Sequence, residues 1–250
     1  MNYTSMIFSP TGGTEKVAAA LTATWGIASQ IVDLTNAKTD FSSVVFQPED
    51  VMVIAVPSYG GRVPGLAAER IRQIHGNGAS AVLVCVYGNR AYEDTLAELE
   101  NLAKEAGFQV TAAVAGIAEH SIVRRFVAGR PDAEDRRILA GFGQTIQERL
   151  KRGERSGMIP GRRPYKKAGG GMLPQTGTAC VQCGLCAAQC PAGAIDPADA
   201  GKINAEKCIS CMRCVKICPQ QAKALDLAGL TKIAAMLEKV CSDRKACELY

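Results

Sequence analysis

Eight of the eleven cysteines fall into two identical ladders. Cys180, Cys183, Cys186 and Cys190 precede Pro191, and Cys208, Cys211, Cys214 and Cys218 precede Pro219. Each copy reads C-x2-C-x2-C-x3-C-P, and the second begins 28 residues after the first. This is ligand spacing for iron–sulfur clusters, whose chemistry is one-electron transfer. Structural zinc needs four ligands, usually as two pairs, and has no use for three thiols at this interval followed by a fourth and a proline. A disulfide framework fits less well still, because the chain is long and its thiols are spaced as metal ligands.

In this pattern the fourth cysteine of each run ligates the other cluster. Cluster one then takes Cys180, Cys183, Cys186 and Cys218, and cluster two takes Cys208, Cys211, Cys214 and Cys190. A module this small has little apolar core, so bound metal supplies much of its folding free energy. The expectation is two [4Fe-4S] clusters.

The elements that must position this chemistry lie upstream. Residues 1–150 alternate strand and helix signals, which argues an α/β domain with a parallel sheet. Strands are predicted at Tyr3–Phe8, Ala28–Asp33, Asp50–Val56, Ala81–Tyr87 and Phe108–Ile117, and helices at Gly13–Thr22, Gly65–Ile74, Tyr92–Ala106 and Asp132–Lys151. Ligands on open α/β sheets bind beyond the carboxyl ends of the strands, so the segment after each strand matters most. After the first comes Ser9-Pro10-Thr11-Gly12-Gly13-Thr14, where hydroxyls and glycines meet a helix N-terminus. Backbone N–H groups and the helix dipole favour an anion there, and the side-chain hydroxyls can donate to phosphate oxygens. The alternative is a plain capped helix start. A nucleotide P-loop is excluded, because no Gly-Lys-Ser/Thr follows the glycines.

The segment from Ser9 to Ala18 resembles the phosphate-binding loop of flavodoxins, departing from many of them at Ile7, where they carry an aromatic. With five strands and four helices, the resemblance implies a flavodoxin-like parallel sheet of order 2-1-3-4-5. It also implies that two further loops hold an isoalloxazine ring: Ser58, Tyr59, Gly60, Gly61 and Arg62 after the third strand, and Tyr87, Gly88, Asn89, Arg90 and Tyr92 after the fourth. The residue types suit this, since tyrosine offers a flat stacking face and glycine lets the backbone approach a ring edge. The competing reading is two tight turns with locally packed tyrosines. FMN is the expected flavin, because the family's loop binds a terminal phosphate and no adenine site is visible.

The segment 118–132 after the fifth strand is long for a loop before a helix. Glu119 and His120 could relay a proton, since an imidazole titrates near neutral pH. Arg124, Arg125 and Arg130 could pair with phosphate or with the cluster module, and Asp132 suits a helix N-cap. Residues 153–178 hold seven glycines, three prolines and five basic side chains. They are read as a tether, with docking of the basic residues on the flavin phosphate, the acidic first domain or an acidic partner protein as the alternative. From Lys223 to Val240 apolar residues recur at helical intervals, predicting an amphipathic helix that covers the cluster module or clamps it to the first domain. Cys85, Cys241 and Cys247 lie outside the ladders and are read as non-ligands.

The chain of 250 residues carries a formal net charge of +5. Its first 150 residues are net −3 and the remainder net +8. Nucleic-acid binding is not expected, because stacking aromatics and a recognition motif are missing. No run of 18 apolar residues exists, so no membrane span is expected. The N-terminus has no basic leader pattern, and thiols of this kind suit a reducing cytoplasm.

The whole resembles flavodoxin–ferredoxin fusion proteins. The expected domains are 1–152, flavodoxin-like and FMN-binding; 153–178, a basic linker; 179–222, a small α+β two-cluster ferredoxin domain; and 223–250, a helix and tail. The expected function is an electron carrier between FMN, two clusters and protein redox partners. The alternatives are a flavin reductase acting on a small substrate and, more weakly, a redox sensor.

Overall fold

The computed structural model describes residues 2–250. The first domain runs β1 (Tyr3–Ile7), α1 (Gly13–Leu21), β2 (Ala28–Asp33), β3 (Val51–Pro57), α2 (Gly65–Arg72), β4 (Ser80–Tyr87), α3 (Thr95–Glu105), β5 (Gln109–Ile117) and α4 (Ala133–Lys151). The five strands are parallel and lie in the order β2-β1-β3-β4-β5, the flavodoxin-like order. β3 and β4 are near-continuous apolar runs rich in valine because both sheet faces are covered. Val17 and Leu21 of α1 and Leu139 and Ile146 of α4 pack on one face. Ile71 of α2 and Leu99 and Leu102 of α3 pack on the other. β2 is the outer strand, and its residues are mostly exposed. Asp132 caps α4 in a reciprocal capping box with Asp135.

The second domain is built on a two-stranded antiparallel ribbon, β6 (Gln175–Thr176) with β7 (Lys223–Ala224), and two short helices, α5 (Leu185–Ala188) and α6 (Arg213–Ile217). α7 (Leu227–Glu238) follows, N-capped by Asp226, whose carboxylate accepts the Gly229 N–H at 2.8 Å. Its apolar face seats Ala234 and Leu237 on Val123, Ile122 and Phe126 of the segment after β5. The tail then returns to the first domain as β8 (Glu248–Leu249), antiparallel to β5. This two-residue strand adds a sixth member to the sheet and covers an edge that would otherwise be open to pairing.

The basic segment between the domains is a docked strap, and this differs from the tether that its composition suggests. Ile159 enters the core of the first domain. Asp94, at the start of α3, accepts the Arg162 N–H and the Lys166 N–H, both at 2.8 Å. Lys166 pairs with Glu93 at 2.6 Å and Arg163 with Glu100 at 2.6 Å. Arg62 grips Glu98 with two nitrogens, at 2.7 and 2.8 Å, donates to the Lys166 carbonyl at 2.6 Å and lies over the Tyr165 ring. Asp94 makes no side-chain cap for α3, so its carboxylate serves the strap alone. An Asp94→Ala protein is therefore expected to keep α3 while trypsin cuts several-fold faster after Arg162, Lys166 and Lys167. Unchanged cleavage rates would show that Asp94 does not hold the strap.

Candidate redox site

The two ladders wind in the same way. Gln182 and Ser210 adopt φ of 54°, and Gly184 and Met212 adopt 73° and 62°. One left-handed residue thus lies between the first and second thiols of each run and another between the second and third, and all three thiols line one cavity. For Met212, a bulky side chain, that conformation is costly and marks a loop whose shape is imposed. One cavity is lined by Cys180, Cys183, Cys186 and Cys218, with Val181, Leu185 and Pro219. A second is lined by Cys190, Cys208, Cys211 and Cys214, with Ile195, Ile203 and Ile209. The first three cysteines of each run thus share a cavity with the fourth of the other.

The surroundings of these thiols fit a cluster. The Ala194 N–H points to Cys190 Sγ and the Ala222 N–H to Cys218 Sγ, each at 3.3 Å. Hydrogen bonds to ligand sulfur are one of the protein's levers on cluster potential. Burial pushes the Cys211 thiol up to about 11 and the Cys214 thiol up to about 12. Thiolates at these positions need a cationic iron core to hold them. At Cys218 burial acts to raise the thiol too, but the N–H groups of Ala222, Gln220 and Lys223 outweigh it and lower the thiol. Lys223, almost fully buried, donates from Nζ to Thr176 Oγ1 and lines the first cavity.

On the first domain, Gly12 holds φ at 86° and opens α1, and the Glu15 N–H donates to Ser9 Oγ at 3.1 Å. The loop after β3 is a tight turn in which Tyr59 and Arg62 exchange backbone hydrogen bonds at 2.9 and 3.2 Å. Gly60 and Gly61 supply its two positive φ angles, 60° and 85°. A Cβ on Gly60 would stand 2.6 Å from the Gly169 nitrogen, so the strap passes against this turn. Ser58, Tyr59 and Gly60 line a cavity of about 270 Å³ with His120, Ser121 and Ile122, the strap residues Gly169–Gly171, and Cys208, Ile209 and Ser210 of the cluster module. Burial first, and then Cys211, holds the Tyr59 hydroxyl well above the usual phenol value. The tyrosine is thus a neutral group between this cavity and the second ladder.

The loop after β4 is placed otherwise. Asn89 is 1 % exposed and donates to the carbonyls of Cys241 and Asp243 at 3.1 and 2.7 Å, while its Oδ1 accepts the Lys245 N–H. Arg90 pairs with Glu93. Tyr87 packs edge-on to Tyr92, whose hydroxyl meets that of Tyr250 at 2.7 Å. Tyr87, Asn89, Arg90 and Tyr92 are therefore engaged by the C-terminal tail and by one another, outside the 270 Å³ cavity. Gly88 backs onto His120. Arg62 and Gly61 also stay off the cavity wall, since Arg62 serves the strap.

His120 lines the cavity but does not titrate near neutrality. Burial first, with Arg90 adding, lowers it to about 4. Its Nδ1 accepts the N–H groups of Ile122 and Val123 at 3.2 and 3.1 Å, which leaves the proton on Nε2. It is a fixed neutral donor, and that differs from the proton relay its type suggests. Of the nearby arginines, Arg124 pairs with Glu119, Arg125 with Glu238 of α7, and Arg130 with Asp135.

Sequence reasoning passed over Arg213, Lys216 and Lys223, which stand between or beside thiols as ordinary basic residues. Arg213 donates to the carbonyls of Pro10 and Ser9 at 3.0 and 3.3 Å, which ties the second ladder to the loop that opens α1. Arg70 of α2 adds a second tie, donating to the Pro191 carbonyl at 2.8 Å. Among the described residues no helix is long and apolar enough to cross a membrane.

Comparison with known proteins bears on each half separately. Residues 179–223 match the family described as 4Fe-4S dicluster domain. Over 44 residues the chain is 48 % identical to a subunit of the ion-translocating oxidoreductase complex of Methanosarcina acetivorans, covering 17 % of each protein. Similar solved structures include flavodoxin 1 of Bacillus cereus, at 14 % identity and TM-score 0.42, covering 59 % of this chain and 98 % of that one. Another is a Streptococcus pneumonia TIGR4 flavodoxin, at 18 % identity and TM-score 0.41, covering 59 % and 99 %. The strand order of the first domain is flavodoxin-like, and residues 179–223 match a 4Fe-4S dicluster domain, a type of site that serves electron transfer.

Proposed function

We propose that this chain carries electrons between an FMN on its first domain, two [4Fe-4S] clusters on its second, and protein redox partners. The observation that carries the reading is the shared wall. The cavity beside Tyr59 is closed on its far side by Cys208–Ser210, the start of the second ladder. FMN, when bound, supplies a centre that holds one or two electrons, which suits it to one-electron clusters. The Ser9–Thr14 loop would hold its phosphate, and Tyr59, Gly60, His120 and Ile122 would enclose its ring. Arg130 lines the cavity at that loop, and its buried Nη1 has no hydrogen-bond partner.

The set Cys190, Cys208, Cys211 and Cys214 then stands next to the flavin, and the set Cys180, Cys183, Cys186 and Cys218 stands outward. Cys183 is exposed and Val181 is 63 % exposed, which gives a partner protein access to the outward set. A carrier is favoured over a small-substrate reductase by the lining of the cavity. Among the described residues it holds no carboxylate, lysine or arginine, and its histidine is neutral and fixed. A reductase that delivers protons with its electrons needs a titratable group there.

Protein purified without oxygen is expected to contain about eight iron and eight sulfide with one FMN per chain. Eight iron with no flavin, even after FMN is added, would sink the flavin half of the reading and leave a dicluster carrier.

A further inference from the structure

The anion cavity at the start of α1 draws its wall from both domains. Thr11 and Lys16 come from the loop and first turns of α1, Ser121 and Arg130 from the segment after β5, and Val215 and Lys216 from α6. Its volume is about 80 Å³, and Ser121 also lines the larger cavity beside Tyr59. The one carboxylate on the wall, Glu119, is neutralised by Arg124 at 2.7 Å. Arg130 is 6 % exposed, and its Nη1 is buried without a hydrogen-bond partner. Lys16, Lys216 and Arg130 therefore surround a helix N-terminus. Arg130, although paired with Asp135, still has a donor unspent inside the protein. That is the chemistry of a phosphate monoester site.

Lys216 reaches this site from the cluster module. α6 lies between Cys211 and Cys218 and contains Cys214. Arg213 fixes it to the carbonyls of Ser9 and Pro10. The helix is five residues long, too short to stand by its own propensity. It is held by the convergence of the thiols on either side, and that convergence depends on metal.

We propose that α6 completes the phosphate site of the first domain, so that holding a flavin phosphate and holding the cluster of Cys190, Cys208, Cys211 and Cys214 are thermodynamically linked. This rests on the flavin reading above. Lys216 supplies a cation to the phosphate, and Arg213 is a positioning residue that keeps α6 on the loop. Linkage runs both ways: the cluster tightens FMN, and FMN protects the cluster.

The test uses full-length, cluster-loaded protein freed of flavin, titrated with FMN and with riboflavin while flavin fluorescence is followed. Lys216→Gln is expected to keep its iron, to raise the Kd for FMN about tenfold and to leave that for riboflavin unchanged. A merely structural defect would weaken both flavins alike and would overturn the proposal. Stripping iron from the wild type with a chelator is expected to weaken FMN at least as far. In the reverse direction, FMN is expected to slow chelator bleaching of the wild type more than riboflavin does. Equal FMN affinity in wild type, Lys216→Gln and stripped protein would overturn the proposal while leaving the flavin reading intact. Wild type that binds neither flavin would overturn both.

Discussion

Cys190→Ala is expected to abolish the cluster framed by Cys208, Cys211 and Cys214, and to spare the one framed by Cys180, Cys183 and Cys186. Cys190 belongs to the first ladder in sequence, so a reading by proximity along the chain predicts the opposite loss. The structure puts Cys190 on the wall of the second cavity, where Ala194 donates to its sulfur. Removing a ligand takes away a covalent anchor and leaves a pocket whose remaining thiols favour the protonated form, Cys211 near 11 and Cys214 near 12. Iron should fall from about eight to about four per chain. Cys218→Ala should give the same iron content with the other cluster missing. The two variants are told apart by the consequence for the first domain. Only Cys190→Ala should disturb the Tyr59 side of the 270 Å³ cavity, because only the second ladder lines it. Loss of the outward cluster in Cys190→Ala, by electron paramagnetic resonance of the reduced protein, would refute the crossed pairing.

What could be read from the residues alone were patterns confined to a few turns of chain. Thiol spacing announces a cluster because the ligating loop is short. The buried strands announce themselves as unbroken apolar runs, Val51–Pro57 in β3 and Ala81–Tyr87 in β4, because two helical layers cover them. Asp132 was legible as a cap for the same reason, its partner Asp135 being three residues away. What stayed hidden were contacts made across the chain. Asn89 looks like a ring-loop residue, and only the carbonyls of Cys241 and Asp243, more than 150 positions on, reveal that it latches the tail. The strap has the glycine, proline and lysine content of a tether. Whether such a segment floats or docks depends on carboxylates elsewhere, here Glu93 and Asp94 just before α3 and Glu100 within it. β8 is two residues long and carries no periodicity at all. Arg213 and Lys216 gain meaning only once α6 is laid against the loop after β1.

The same long-range logic makes Asp135 the residue of the first domain whose loss should cost most. It is 1 % exposed and sits in the first turn of α4. Its carboxylate accepts Arg130 Nε at 2.7 Å, the Asp132 N–H at 3.0 Å and an Arg244 nitrogen at 3.4 Å. Arg130 in turn donates to the Lys245 carbonyl at 3.0 Å. One buried carboxylate thus joins the helix cap, the segment after β5 and the C-terminal tail. Asp135→Ala leaves the Arg130 guanidinium buried without its counter-ion, and breaking a buried pair in this way costs about 3–5 kcal/mol. Part of that cost is the uncompensated charge, not the bond itself. Arg130→Met combined with Asp135→Ala should therefore be less destabilised than Asp135→Ala alone, by about 1–3 kcal/mol in a double-mutant cycle. Urea unfolding followed by circular dichroism measures both. A cost under about 1 kcal/mol for Asp135→Ala would mean that water or another acceptor reaches Arg130, and that the tail is held mainly by β8 and Asn89.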